Sequence, residues 1–126
     1  MPIHYQRDDA KQRINVRSEG MPTLEEVLAI MDRQAAEGVW SYAVMYDSRE
    51  ASRAPTPEEL TIILKHIGEL TAKHGPRGPV AMIIGNPEFF KAARKYAQLG
   101  ELTALQAELF ATPEAAELWL QTVKRS

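Results

Sequence analysis

The stretch Trp40-Ser41-Tyr42-Ala43-Val44-Met45-Tyr46-Asp47 decides how this chain is read. It is an aromatic and aliphatic run broken only by Ser41, and it closes on a carboxylate. A run of that kind predicts a central strand buried on most of both faces, which delivers Asp47 to the C-terminal edge of a sheet. In open α/β sheets that edge is where ligands bind. Along the strand Trp40, Tyr42 and Tyr46 fall on one face, and Ser41, Ala43 and Met45 on the other. The small-residue face suits a closely packed helix. The aromatic face calls for cover, from a helix or from a second copy of the chain.

Outward from this run, the chain alternates punctuation and periodicity. Ile3–Arg7 and Arg13–Arg17 alternate apolar and polar residues around Asp8-Asp9-Ala10-Lys11, which predicts a β-hairpin forming a solvated edge. Ser18 to Pro22 reads as a breaker. Thr23 with Glu26 three positions on is a helix-capping pair, followed by Leu24, Val27, Leu28, Met31 and Ala35 at helical spacing, with Gly38 as the stop. Ser48 to Pro55 is polar and aperiodic, a loop at the functional edge. Thr56-Pro57-Glu58-Glu59 is the sharpest helix start, with Leu60, Ile63, Leu64, Ile67 and Leu70 as its apolar stripe. Pro79–Gly85 predicts a second buried strand. Asn86-Pro87-Glu88 opens a third helix, Thr103–Phe110 a half-exposed last strand, and Thr112-Pro113-Glu114 a final helix. The element order is ββαβαβαβα. Each strand-to-strand connection after the hairpin carries a helix, so those strands should be parallel with right-handed crossovers.

Composition narrows the function. At 126 residues the chain is expected to be a single domain, residues 1–126. A formal charge of −2 and a pI near 5.9 supply no field that would draw in nucleic acid. With no cysteine, thiol nucleophiles, disulfides and Cys-based metal sites are excluded. No signal-peptide pattern opens the sequence and no apolar run approaches a membrane span, so a soluble cytoplasmic protein is expected. His4, His66 and His74 are scattered, and no carboxylate cluster supports a metal. Ser48 has no histidine at motif distance, and no Gly-rich phosphate loop is present. A non-enzymatic chain without a cofactor is the expectation.

The hairpin, the Trp-x-Tyr-x-x-x-Tyr-Asp strand, the Gly-Pro-x-Ala strand and the closing Phe-Ala-Thr-Pro-Glu-Ala-Ala-Glu-Leu-Trp-Leu resemble the SpoIIAA-like proteins, which belong with the STAS domains. The resemblance implies an α/β fold with a mixed, mostly parallel five-stranded sheet, and a role in switching between protein partners. It also implies a phosphorylated Ser or Thr at the start of the helix after the central strand, in an Asp-Ser-Ser-Gly-like sequence. Here Thr56 holds the helix start, but Pro57 and Glu58 follow it and the glycine is missing, which argues against a phospho-switch. Related lipid-carrier folds imply a second role, holding apolar small molecules between sheet and helices.

Two sets of residues follow. Asp47, Ser48, Arg49, Arg53, Thr56 and Asn86 are candidates for a partner-facing or anion-binding rim, the arginine fork suiting phosphate or carboxylate. Tyr46, Phe89, Phe90, Arg94 and Tyr96 are candidates for a pocket. Adjacent Phe89 and Phe90 point about 100° apart on a helix, so one of them is expected to be partly exposed. Each set has a plainer alternative: Thr56 as a simple helix cap, Asp47 as a strand end bonding backbone N–H groups, the aromatics as core. The expected partners are another protein, a second copy of the chain or a small apolar ligand.

Overall fold

The computed structural model describes residues 3–53, 55–101 and 106–123; within the third helix the side chains of residues 92, 93, 96, 97 and 99–101 lie outside that description. The described residues form a five-stranded sheet and four helices in the expected order. These are β1 (Ile3–Asp8), β2 (Arg13–Gly20), α1 (Leu24–Ala36), β3 (Ala43–Ala51), α2 (Pro57–His74), β4 (Val80–Ile83), α3 (Pro87–Glu101), β5 (Ala107–Phe110) and α4 (Pro113–Thr122). The spatial order is β1-β2-β3-β4-β5, with β1 antiparallel to β2 and every later pair parallel. β3 is therefore the middle strand.

Local chemistry accounts for the element boundaries. Thr23 and Glu26 form the reciprocal capping box of α1, and Thr56 and Glu59 that of α2, each satisfying two otherwise orphaned backbone N–H groups. Gly38, with φ of 77°, turns the chain out of α1 in the left-handed region that costs glycine nothing.

Boundaries of four strands, β2 to β5, differ from the sequence expectation. β3 starts at Ala43 rather than Trp40, because Val39–Tyr42 form a turn closed by the Tyr42 N–H on the Val39 carbonyl. The buried Gln34 amide clamps that turn, donating at 3.0 Å to the Val39 carbonyl and reaching those of Trp40 and Tyr42. At its other end β3 runs past Asp47 to Ala51, and β2 runs through Ser18 to Gly20, where a breaker was expected. These polar extensions pair with each other (Glu19 with Glu50, Gly20 with Ala51) and carry the Arg17–Glu50 ion pair at 3.0 Å. β2 is consequently an interior strand, with Ile14 and Val16 fully covered; only β1 is a free edge on that side. β4 and β5 are shorter than expected, and residues 103–105 of the expected last strand lie outside the described residues.

Alternation along the strands gives two cores. On one face Ile14, Val16, Val44 and Val80 pack with Met31 of α1 and Leu60, Ile63 and Ile67 of α2, joined by Trp40 and Tyr46. On the other, Ala43, Ala81 and Ile83 receive Ala116 and Leu120 of α4. The small side chains let that helix approach closely, as the sequence suggested. The right-handed crossover rule governs helices that return to a parallel strand. No described strand follows α4, so it is free to cross to the opposite face. The covered aromatic face needs no second subunit.

Candidate functional site

The start of α2 lies where β3 leaves β4, and both candidate sets converge there unequally. Asp47 is the last β3 residue paired with β4, opposite Ile83. Its carboxylate takes the Arg49 guanidinium at 2.7 and 3.0 Å and the Arg49 backbone N–H at 3.1 Å. The guanidinium beside it holds the Asp47 carboxyl below its ordinary range, against the opposing effect of burial, and raises Arg49 in return. Ser48 points to the other face, where its hydroxyl donates to the Ile83 carbonyl at 3.1 Å. A hydroxyl engaged that way is a strand clasp, not an activated nucleophile.

Arg53 crosses from the end of β3 to α2. Its guanidinium holds both oxygens of Glu59, at 2.9 and 3.3 Å, and reaches the Pro22 carbonyl at 3.4 Å. Glu59 also accepts from the Thr56 backbone N–H at 2.9 Å, while the Thr56 hydroxyl accepts from Glu59 N–H at 3.2 Å. Arg53, followed by the Thr56 N–H, brings the Glu59 carboxyl down to about 2. One carboxylate thus ties the lead into α1, the end of β3 and the cap of α2 together. Thr56 itself is exposed at the helix start. Asn86 is exposed at the start of α3, its side-chain oxygen accepting from Glu88 N–H at 2.8 Å.

The six rim candidates therefore do not share one face. Asp47 and Arg49 lie toward the α4 side, where Asp47 lines a polar depression with His4, Asn15 and Arg17. Ser48 and Arg53 line the opposite side. Each arginine is matched to its own carboxylate, so the pair does not form a joint fork for one anion.

On the Ser48 side a partly open apolar cleft of about 140 Å3 separates the sheet from α1 and α2. Tyr46 and Phe89 line it, as do Val16, Val44, Ile63 and Met82. Of the remaining pocket candidates, Phe90 is half-buried on α3 with the Arg94 guanidinium 5.4 Å above its ring, and neither is among the lining residues. Phe89 is half-buried as well. The Tyr96 side chain lies outside the described residues. Sequence reasoning missed the contributions of β2, β4 and α1. The usable signal was parity: Val44, Tyr46 and Ser48 share one face of β3, opposite the apolar stripe of α2.

Among the described residues no group of three or more His, Asp or Glu could hold a metal ion, and no helix is long and apolar enough to cross a membrane. His4 and His66 are bonded at 2.6 Å to Glu19 and Asp32, well separated in sequence from Ser48.

The architecture is that of the STAS-type α/β fold. Over 96% of its length the chain superposes on 99% of the anti-sigma factor antagonist SpoIIAA in its unphosphorylated form, with a TM-score of 0.60 at 16% identity. An anti-sigma factor antagonist from Mycobacterium paratuberculosis matches with a TM-score of 0.56 at 18% identity, over 94% of each chain. No protein-family model matches the sequence, and none of the curated proteins does.

Proposed function

We propose that the chain is a single-domain, non-enzymatic cytoplasmic module that regulates another protein by binding it through the surface where β3 hands over to α2. The supporting observation is the full-length fold shared with two proteins described as antagonists of anti-sigma factors. The surface suits that role. Arg49, Glu50 and Thr56 are exposed there, as is Met21, which is 65% accessible and adjacent to the Pro22 carbonyl that Arg53 touches. Ile62, one turn along α2 from Glu58, adds a second exposed apolar side chain. Exposed apolar groups rimmed by charge are the usual make-up of an interaction surface. Thr56 serves as a cap rather than a phosphoacceptor, since a phosphate there would stand beside the Glu58 and Glu59 carboxylates.

Affinity capture from cells tests the reading. A protein retained by the wild-type chain should be lost when Arg49→Ala and Arg53→Ala are combined, with the circular dichroism of the bait unchanged. Equal retention by both baits would refute the assignment of the surface.

A second reading, a carrier or sensor of a small apolar molecule, is favoured by the cleft beside Tyr46. Native mass spectrometry of protein taken from cells should then reveal a bound mass released on denaturation. A clean apo mass across preparations would count against it.

A further inference from the structure

The cleft is apolar through its middle and charge-matched at its opening. Of its lining residues Thr23 and Pro55 are the exposed ones, so it opens beside the starts of α1 and α2. The charged and capping groups gathered there are already engaged. Arg53 donates to both oxygens of Glu59, at 2.9 and 3.3 Å, so a positive charge at the opening is met by a negative one. The Ser48 hydroxyl donates to the Ile83 carbonyl, and the Thr23 oxygen accepts the Glu26 N–H at 3.2 Å. At the opposite end the Arg77 guanidinium lies 4.9 Å over the Trp40 ring. Between the two ends the walls are aliphatic (Val44, Ile63, Val80), with the rings of Tyr46 and Phe89 and the thioether of Met82 among them. A dry cavity of about 150 Å3 is known to hold a molecule the size of benzene, and drug-sized pockets run to several hundred Å3. At about 140 Å3 this one belongs with the first.

Resting on the carrier reading and naming the class of ligand, we infer that the cleft binds one uncharged ring compound of about the size of benzene and discriminates against ions of that size. The ring gains by leaving water for the apolar middle. Tyr46 and Phe89 offer it tilted or offset ring contacts, and Met82 a sulfur contact that adapts to its shape. An ion of either sign would leave water without gaining a counter-charge. A carboxylate would meet an Arg53 whose guanidinium is already held by Glu59, and an ammonium would meet a Glu59 whose oxygens already take Arg53 and the Thr56 N–H. The matched pair therefore acts as a filter by charge, and the cleft's volume as a filter by size.

Titration with three one-ring probes, toluene, benzoate and benzylammonium, followed by the methyl resonances of Val44, Ile63, Val80 and Met82, tests the inference. Toluene should shift these methyls with a stoichiometry of one per chain. It should bind about ten-fold or more tighter than either ion, because only the ions lose hydration that the cleft does not replace. Val80→Ile, which takes up part of the space, should weaken toluene several-fold in a protein that still folds. Glu59→Gln removes the carboxylate matched to Arg53, so it should bind benzoate several-fold better and toluene as before. Either ion bound as tightly as toluene by the wild type overturns the uncharged assignment and leaves the carrier reading standing. Benzoate held no better by Glu59→Gln overturns the filter by charge. Toluene that shifts methyls outside the cleft instead, or that Val80→Ile holds as well as the wild type does, puts the site elsewhere. Absence of toluene binding overturns the ring assignment, and native mass spectrometry then judges the carrier reading separately: a bound mass upholds it, and a clean apo mass overturns it too.

Discussion

Two neighbouring positions on β4 should respond to added volume with opposite signs. Val80 and Ala81 are both buried, at 3% and 0% exposure, and point to opposite faces of the same strand. Val80 faces the cleft, where about 140 Å3 is unfilled. Ala81 faces α4 and is packed with Ala43, Ala116 and Leu120. Val80→Ile adds one methylene to empty space. Burial of that group stabilises by about 0.8 kcal/mol, with no displacement of neighbours to offset it. Ala81→Val pushes two carbons into a close-packed contact, which costs about 1–3 kcal/mol. The two variants should therefore differ by roughly 2–4 kcal/mol although both enlarge an aliphatic side chain in one strand. Urea unfolding followed by circular dichroism would place the Val80→Ile midpoint about half a molar above wild type and the Ala81→Val midpoint about one molar or more below it, at unchanged slope. If Val80→Ile destabilises as much as Ala81→Val, the cleft is not void in solution and the carrier reading loses its support. The same Val80→Ile protein should also hold less of any apolar ligand that the cleft takes up, since stabilising the empty form and admitting a ligand compete for one space.

Three further outcomes follow from named contacts. Thr56→Ala removes the acceptor for Glu59 N–H and should lower stability by about 1 kcal/mol, measured by urea unfolding. Glu59 has a folded pKa of about 2 against an ordinary value of 4.5, so its contribution is complete above the unfolded value and is lost as pH falls from about 4.5 towards 2. Glu59→Gln should accordingly be less stable than wild type above that window and show a shallower acid limb within it, the two stability–pH profiles converging as the pH falls towards 2. Gly78→Ala would set a Cβ against the carbonyl oxygens of Ser41 and Tyr42, which are backbone and cannot swing aside. It should cost at least about 2 kcal/mol or prevent folding, read as the yield and melting temperature of the purified chain.

The capping boxes illustrate how much was legible before any coordinates. Thr23 with Glu26, and Thr56 with Glu59, are local devices whose partners lie three residues apart, so their chemistry is complete within the sequence window. The ββαβαβαβα order and the middle position of β3 followed from equally local periodicity and from the crossover rule. The errors cluster where the deciding partner is remote. Trp40 and Tyr42 look like strand residues by type, but Gln34, on the preceding helix, holds their carbonyls in a turn. Ser48–Ala51 looks like a loop by polarity, but β2 offers it a continuing ladder.

For the candidate site the division is similar. The amino-acid order alone gave the residue types at the end of β3 and the start of α2, because strand alternation and helix caps are one-dimensional patterns. Tertiary packing decided which side of the sheet each occupies relative to α4, that Arg53 reaches Glu59 on α2 and the Pro22 carbonyl ahead of α1, and that a gap remains beside Tyr46. A void is a difference between the volumes of side chains drawn from separate strands and helices, and the reach of Arg53 to Glu59 and Pro22 depends on how the end of β3 is set against α2 and the lead into α1. Neither quantity exists until β2, β3, β4, α1 and α2 are brought together.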